Sequence, residues 1–380
     1  MKLMKKIPFN KPAYIKKSKL YIEQALKSNH LSGDGFFTKE SSFLLEKLTG
    51  TKKALLTTSC THALEMAAIL LDIKPGDEII VPSFTFVSTV NAVVLRGGKP
   101  VFIDIRPDTL NLDERQLEQL ITPKTKAIFV VHYAGVACEM DSIIRISEKY
   151  GIPVVEDNAH GLFGKYKDKN LGTIGALATQ SFHETKNIST GEGGALLINN
   201  PLLVERAEII REKGTNRNKF FRGQVDKYTW VDIGSSYLPS EVVAALLLAQ
   251  LEAADEIQSK RSSIWNTYQS QLLDWSTEHS IGTPCIPKDC CHPAHLYYLL
   301  MPDLDSRTRF IEWMKSQNIT CVFHYLPLHL SAMGRKFGGK EGDCSVTESV
   351  SDRLVRLPLF FELTDQELSR IIKTIKSFIP

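Results

Sequence analysis

Apolar residues along the chain follow two alternating rhythms. Short continuous runs at Lys53–Thr57, 78–81, 100–105, 127–133 and 153–156 read as strands buried on both faces. Segments with helical spacing fall between them, at about 61–71, 85–95, 114–120 and Met140–Tyr150. This alternation predicts an α/β fold with a mostly parallel sheet covered on both sides. Residues 195–198, after a glycine turn, add an antiparallel strand. Upstream, helical patterns at 16–28 and at 39–48, the second opened by Thr38, flank Ser32-Gly33-Asp34-Gly35, a turn or a close approach to a ligand. Downstream, a helix at 202–212 and a long helical pattern at 240–272 lead to a smaller α/β unit. That unit reads as a strand at 296–300, a helix at 306–316, a strand at 320–324 and a helix at 364–379. The expected division is a large domain over 1–245, N-terminal segment included, and a small C-terminal domain over 246–380.

In such folds ligands gather at the carboxyl ends of the strands. That rule selects Ser59–Thr61, Ser83–Phe86, Tyr133, Asp157 and Ser181–Lys186. Thr58-Ser59-Cys60-Thr61 stands between a strand and a helix, as a helix cap or as an anion site of hydroxyls and free N–H groups. Asp157 ends a buried strand in Val154-Val155-Glu156-Asp157-Asn158-Ala159-His160. It serves either as a cap or as the partner of a cationic ring nitrogen, because an unpaired buried carboxylate is costly. Phe84 and Phe86 alternate, for core packing or for stacking on a flat ring. In Ser181-Phe182-His183-Glu184-Thr185-Lys186-Asn187, Lys186 is a solvated loop lysine or an amine placed to form a Schiff base beside a phosphate-binding serine.

Composition narrows the class. Hydrophobic residues make up 43% and charged residues 23%, as in soluble globular proteins, and the net charge of +3 gives no reason to expect nucleic acid or an anionic membrane. The basic start Met1-Lys2-Leu3-Met4-Lys5-Lys6 precedes no apolar core of signal-peptide length, and no run approaches the ~20 apolar residues of a membrane span. The expected address is cytoplasmic. Seven irregularly spaced cysteines do not suggest a disulfide framework. Cys285, Cys290, Cys291, His292 and His295 cluster without a metal-site spacing, so no metal is expected. Neither a Gly-x-Gly-x-x-Gly after the first strand nor a phosphate loop ending in Gly-Lys-Ser/Thr is present.

Together, Glu156-Asp157-x-Ala159-His160, Ser181-Phe182-His183-x-x-Lys186-Asn187 and Gly191-Glu192-Gly193-Gly194 resemble the DegT/DnrJ/EryC1/StrS sugar-nucleotide aminotransferases. The likeness runs from about residue 7 to the C-terminus. It implies the type I fold of enzymes that use pyridoxal phosphate. By this resemblance Lys186 holds the cofactor and serves as the catalytic base and acid. Asp157 pairs with the pyridine nitrogen, and Phe86 stacks on the ring with His160 close by. Ser181, Thr61 and the Cys60 backbone bind the phosphate, although many relatives carry Gly at the Cys60 position. Ser236 aligns where the family takes an Asn from the neighbouring subunit of a homodimer, a departure from the wider pattern.

Longer stretches carry a narrower likeness within the family, among them 131–141, 212–217, 221–230, 233–238 and His324-Tyr325-x-Pro327-Leu328-His329. They resemble the branch that transfers the amino group of L-glutamate to C4 of dTDP-4-dehydro-6-deoxy-glucose, for surface polysaccharides such as enterobacterial common antigen. A C3 aminotransferase, or one acting on another nucleotide keto-sugar, is the alternative, and a non-catalytic sugar-nucleotide-binding protein is the remote one. Lys213, Arg217, Arg222 and Lys227 are candidates for the sugar-nucleotide groove, or else a solvated basic loop. His183 joins them as a substrate-site candidate, and so do His324 and His329, for which a structural role is the competing reading.

Overall fold

The computed structural model describes residues 5–380, so the first four residues of the basic start lie outside it. Thirteen strands follow in chain order. They are β1 Lys53–Thr57, β2 Glu78–Pro82, β3 Lys99–Ile103, β4 Thr125–Val131, β5 Val154–Asp157, β6 Lys165–Tyr166, β7 Lys169–Asn170, β8 Leu177–Ser181, β9 Gly194–Ile198, β10 Cys290–Cys291, β11 Tyr298–Leu300, β12 Val322–Phe323 and β13 Leu354–Arg356. The main sheet has seven strands in the order β1-β9-β8-β5-β4-β2-β3. Strands β3, β2, β4, β5 and β8 run parallel, while β9 pairs antiparallel with both β8 and β1. The α/β class and the antiparallel strand after the glycine turn therefore match expectation. Apolar side chains leave the two faces into separate cores. One holds Leu55, Val81, Phe129 and Leu196; on the other face, one holds Leu56, Ala178 and Leu197, and another Ile80, Ile128 and Val130.

Helices Lys16–Lys27 and Phe36–Thr49 lie against the helix Glu241–Glu252. Thr38 does not open the second of them. It sits in the first turn, which begins at Phe36 because the buried Glu241 carboxylate accepts from the backbone N–H of Gly35, Phe37 and Thr38 at 2.7–3.1 Å, and from the Thr38 hydroxyl. A cap supplied from two hundred residues away leaves no local signal. The expected helix at 114–120 is instead two 3-10 turns, Glu114–Gln116 and Glu118–Leu120. Only Leu117 is buried there, so no apolar stripe exists to hold a longer helix.

The long pattern at 240–272 is two helices, Glu241–Glu252 and Ala254–Glu278, broken at Ala253. The first packs Leu247, Leu248 and Leu251 with Phe37 and Leu45. The second carries Ile264, Tyr268, Leu272 and Trp275 into a different core with Phe310, Val355 and Ile371. A division at 245/246 thus falls inside a helix that packs on the main sheet. The small unit is a three-stranded antiparallel sheet, β11-β13-β12, backed by helices Leu304–Ser316 and Asp365–Lys376. Ile7 bridges to Ile319, so the N-terminal segment docks on this C-terminal layer. Helix Ser345–Arg353 and strand β13 have no counterpart in the sequence expectations. No helix among the described residues is long and apolar enough to cross a membrane.

Candidate active site

Three adjacent strands bring their ends to one place. Register sets Thr57 of β1 and Ser181 of β8 on either side of Gly194 of β9. Ser181 therefore stands beside the start of helix Cys60–Leu70, which directly follows β1. Ser59 caps that helix, its hydroxyl accepting from His62 N–H at 3.1 Å. The earlier first-turn N–H groups and the Thr61 hydroxyl, 2.8 Å from Ser88 Oγ, make the kind of N-terminus that binds anions. Glycine at 194 permits the approach, since a Cβ there would lie 2.4 Å from the Cys60 nitrogen. Cys60 Sγ sits 3.5 Å from Thr179 Oγ1, and burial pushes its thiol up, away from the thiolate.

Neighbouring carboxylates at the end of β5 point opposite ways, as strand alternation requires. Glu156 is sealed. It accepts from His132 Nε2 at 2.9 Å and from the N–H groups of Gly172, Ile174 and Gly175 at 2.6–2.8 Å. Asp157 lines the cavity. Its Oδ2 accepts from Thr89 Oγ1 at 2.7 Å and its Oδ1 from Ala159 N–H at 3.2 Å. Burial pushes its pKa up from the ordinary carboxylate value, and these neutral donors offset that only in part. Among the described residues no cation forms an ion pair with it; a protonated ring nitrogen would supply one.

Lys186 lies in the turn between β8 and β9. That turn is held by Phe182 N–H to Gly193 O, Glu184 N–H to Gly191 O and Lys186 N–H to His183 O, at 2.8–2.9 Å. The next residue, Asn187, ties the turn to the small domain by donating to Pro293 O and Gln258 Oε1 at 2.8 Å. Desolvation lowers the Lys186 amine to about 8, against opposing pulls from Cys60 and Asp157. A lysine so placed is a usable nucleophile near neutral pH.

The remaining wall is aromatic and imidazole-rich. His160 stacks on His295 with centroids 4.3 Å apart, and the His324 ring lies 6.0 Å from it in a similar orientation. Burial holds all three imidazoles neutral. His160 Nδ1 accepts from Ala134 N–H at 3.3 Å, and Tyr133 OH lies 3.0 Å from His324 Nδ1. Phe84 is 1% exposed and belongs to the core, whereas Phe86 is 56% exposed at the cavity.

The cavity these groups enclose is about 510 Å³. An anion-binding helix start, a buried carboxylate wanting a cationic partner, an exposed aromatic wall and a depressed lysine fit pyridoxal phosphate. Cys60, Thr61, Phe86, Asp157, His160, Ser181, His183, Lys186 and His324 all line it. Ser236, Lys213, Arg217 and Arg222 do not. They line a second groove of about 930 Å³. There Lys213 and Arg217 pair with Glu212, and Arg222 with Glu208. Lys227 is exposed and lines neither space. His329 is fully buried between Ser83 Oγ at 2.6 Å and Glu348 Oε1 at 2.9 Å, a structural position that removes it from the candidates. Thr89, His295, Tyr325 and Arg356 complete the site without having been singled out as substrate or cofactor contacts. Tyr325 had a signal in its pairing with His324; Thr89 and Arg356 stand in no motif. Among the described residues, no group of three or more His, Cys, Asp or Glu side chains is disposed to hold a metal ion.

Residues 12–376 match the model of the DegT/DnrJ/EryC1/StrS aminotransferase family. The chain is 31% identical over 382 aligned residues to the spore coat polysaccharide biosynthesis protein SpsC of Bacillus subtilis, covering 98% of this chain and 97% of that protein. It is 37% identical to the uncharacterized protein MJ1066 of Methanocaldococcus jannaschii, over 88% of each. Among solved structures, the PMP form of a provisionally assigned sugar aminotransferase from Streptococcus pneumoniae superposes with a TM-score of 0.91 at 28% identity, over 98% of both chains. Helicobacter pylori PseC, an aminotransferase of pseudoaminic acid biosynthesis, gives 0.88 at 27% identity, over 98% of this chain and 100% of PseC.

Proposed function

The chain belongs to the DegT/DnrJ/EryC1/StrS aminotransferase family, and from that membership we propose that it moves an amino group from L-glutamate to a nucleotide keto-sugar. The family is pyridoxal-phosphate-dependent, and this chain is such an aminotransferase. The observation that carries the reading is the convergence of Lys186, Asp157, Ser181 and the start of helix Cys60–Leu70 on one cavity. Sugar substrates are supported by the relatives, which act in spore coat polysaccharide and pseudoaminic acid synthesis.

When bound, the cofactor supplies an electron sink and carries the amino group between donor and acceptor. Lys186 would be its attachment point, and its free amine, lowered to about 8, would serve as the base and acid that moves a proton beside the reacting carbon. Asp157, a buried carboxylate at the cavity, would pair with the ring nitrogen and keep it protonated. Ser181, Thr61 and the Cys60 N–H would hold the phosphate, Phe86 would lie against the ring, and neutral His160 would stand near it, all of them lining the cavity. His183 and His324 face the substrate space. Ser236 reaches a phosphate only across a homodimer. Phe43 and Phe221, exposed aromatics lining the Ser236 groove, support such an interface, which a second copy would cover. Lys213, Arg217 and Arg222 share that groove, with room for a nucleotide diphosphate between the subunits.

The preferred acceptor is dTDP-4-dehydro-6-deoxy-glucose, aminated at C4 to dTDP-4-amino-4,6-dideoxy-galactose. This is the activity of a dTDP-4-amino-4,6-dideoxygalactose transaminase, which serves enterobacterial common antigen or a related surface polysaccharide. The test is to bleach the near-visible band with glutamate, remove the 2-oxoglutarate, and ask which keto-sugar nucleotide restores it. Recovery with the C4 ketone supports the proposal; recovery only with a C3 ketone replaces it.

A further inference from the structure

Arg356 ends β13, the middle strand of the small sheet, opposite Tyr298 and Val322. Strand alternation sends Val355 into the small-domain core, while Leu354 joins Phe84, Tyr133 and Leu296 between the layers. Arg356 shares the face of Leu354 and lines the Lys186 cavity. The Phe9 ring covers its guanidinium at 4.8 Å. Among the described residues it finds no ion-pair partner: its Nε is buried without a hydrogen bond, and the groups acting on its charge are the phenols of Tyr133 and Tyr325. Two buried arginines elsewhere have partners for their charge, although the Nε of Arg211 is likewise without a hydrogen bond. Arg211 meets Asp34 at 2.6 Å, and Arg261 donates to the carbonyls of Ala294 and His295. A buried cation left without its counter-ion destabilises the fold, and a planar guanidinium fork matches a carboxylate by two parallel hydrogen bonds.

Two parts of the cavity attract anions. The start of helix Cys60–Leu70 is taken by the cofactor phosphate in the reading above. Arg356 stands on the small-domain side with His295, His324 and Tyr325. We propose that Arg356 recognises a carboxylate of the amino-acid donor and so fixes the donor class of this enzyme. The inference rests on the aminotransferase reading of the same cavity.

Cofactor-loaded wild type, Arg356→Gln and Arg356→Lys are compared in the two half-reactions separately, together with calorimetric titration of glutarate, a dicarboxylate without an amine. We expect Arg356→Gln to weaken apparent glutamate affinity by about 10²-fold and to abolish glutarate binding, with the keto-sugar affinity unchanged. Arg356→Lys recovers part of the loss, since an ammonium supplies charge without the fork. The thermal midpoint of Arg356→Gln is not lower than that of wild type, because an uncompensated charge has been removed. Wild-type glutamate affinity in Arg356→Gln overturns the proposal. So does a loss confined to the keto-sugar half, or a lowered midpoint with both halves weakened alike. A wild-type protein whose band no amino acid bleaches overturns the aminotransferase reading itself, and the role of Arg356 with it.

Discussion

At the residue scale, the chemistry depends on what burial does to single groups. Lys186 loses water and drops to about 8, so its free amine is the dominant form above that pH and is lost as pH falls through it. In cofactor-stripped protein, reductive attachment of pyridoxal phosphate to Lys186 should therefore rise with pH, reach its midpoint near 8 and level off about a unit above. An ordinary surface lysine would keep rising towards its usual ~10.4. Peptide mapping of the labelled site against pH checks this. Lys186 and Asp157 were legible in the sequence because each stands where a strand ends and a polar group has no packing reason to be. Arg356 and Thr89 were not. Each faces the site through a pairing of distant strands or a helix turn, and neither stands in a motif.

At the scale of elements, the site depends on how closely backbone segments approach. Gly194→Ala would place a methyl 2.4 Å from Cys60 N and Ser59 C, forcing helix Cys60–Leu70 away from β9. Denaturant unfolding should show a loss of about 1–3 kcal/mol, and the apparent cofactor affinity should fall with it. An unchanged affinity would remove the helix start from the phosphate site. The Glu156 carboxylate anchors the loop before β8 through three N–H groups and His132. Burial alone would raise it, but His132 and those N–H donors outweigh burial and hold it low. Its folded value is below the unfolded one, so its contribution is present above the usual ~4.3 and is lost as pH falls further. Glu156→Gln should cost about 3–5 kcal/mol at neutral pH and flatten the acid limb of stability against pH.

The same scale shows which elements could be read. Strands β2, β4 and β5 are buried on both faces and announce themselves as apolar runs. Strand β8 hides, because its Thr179 and Gln180 are polar yet fully buried beside the site. The cap of helix Phe36–Thr49 by Glu241 and the break at Ala253 were likewise invisible, since one is non-local and the other changes no hydrophobic period.

At the scale of the molecule, two layers meet over the cavity. The main sheet supplies Lys186 and Asp157, while the small domain supplies His295, His324, Tyr325 and Arg356. Ser236 stands apart from the cavity within one chain, so a phosphate contact from it requires a second copy. Sedimentation should show a two-chain species, and Ser236→Ala should retain cofactor less well. A fully active monomer would contradict that arrangement.

The most direct test of the central claim is to incubate the purified protein with nitrogen-15 glutamate and dTDP-4-dehydro-6-deoxy-glucose and to analyse the sugar nucleotide by NMR. We expect labelled nitrogen on C4, formed with 2-oxoglutarate and absent in Lys186→Ala. Label on another carbon, or no labelled sugar nucleotide from a cofactor-loaded protein, would contradict it.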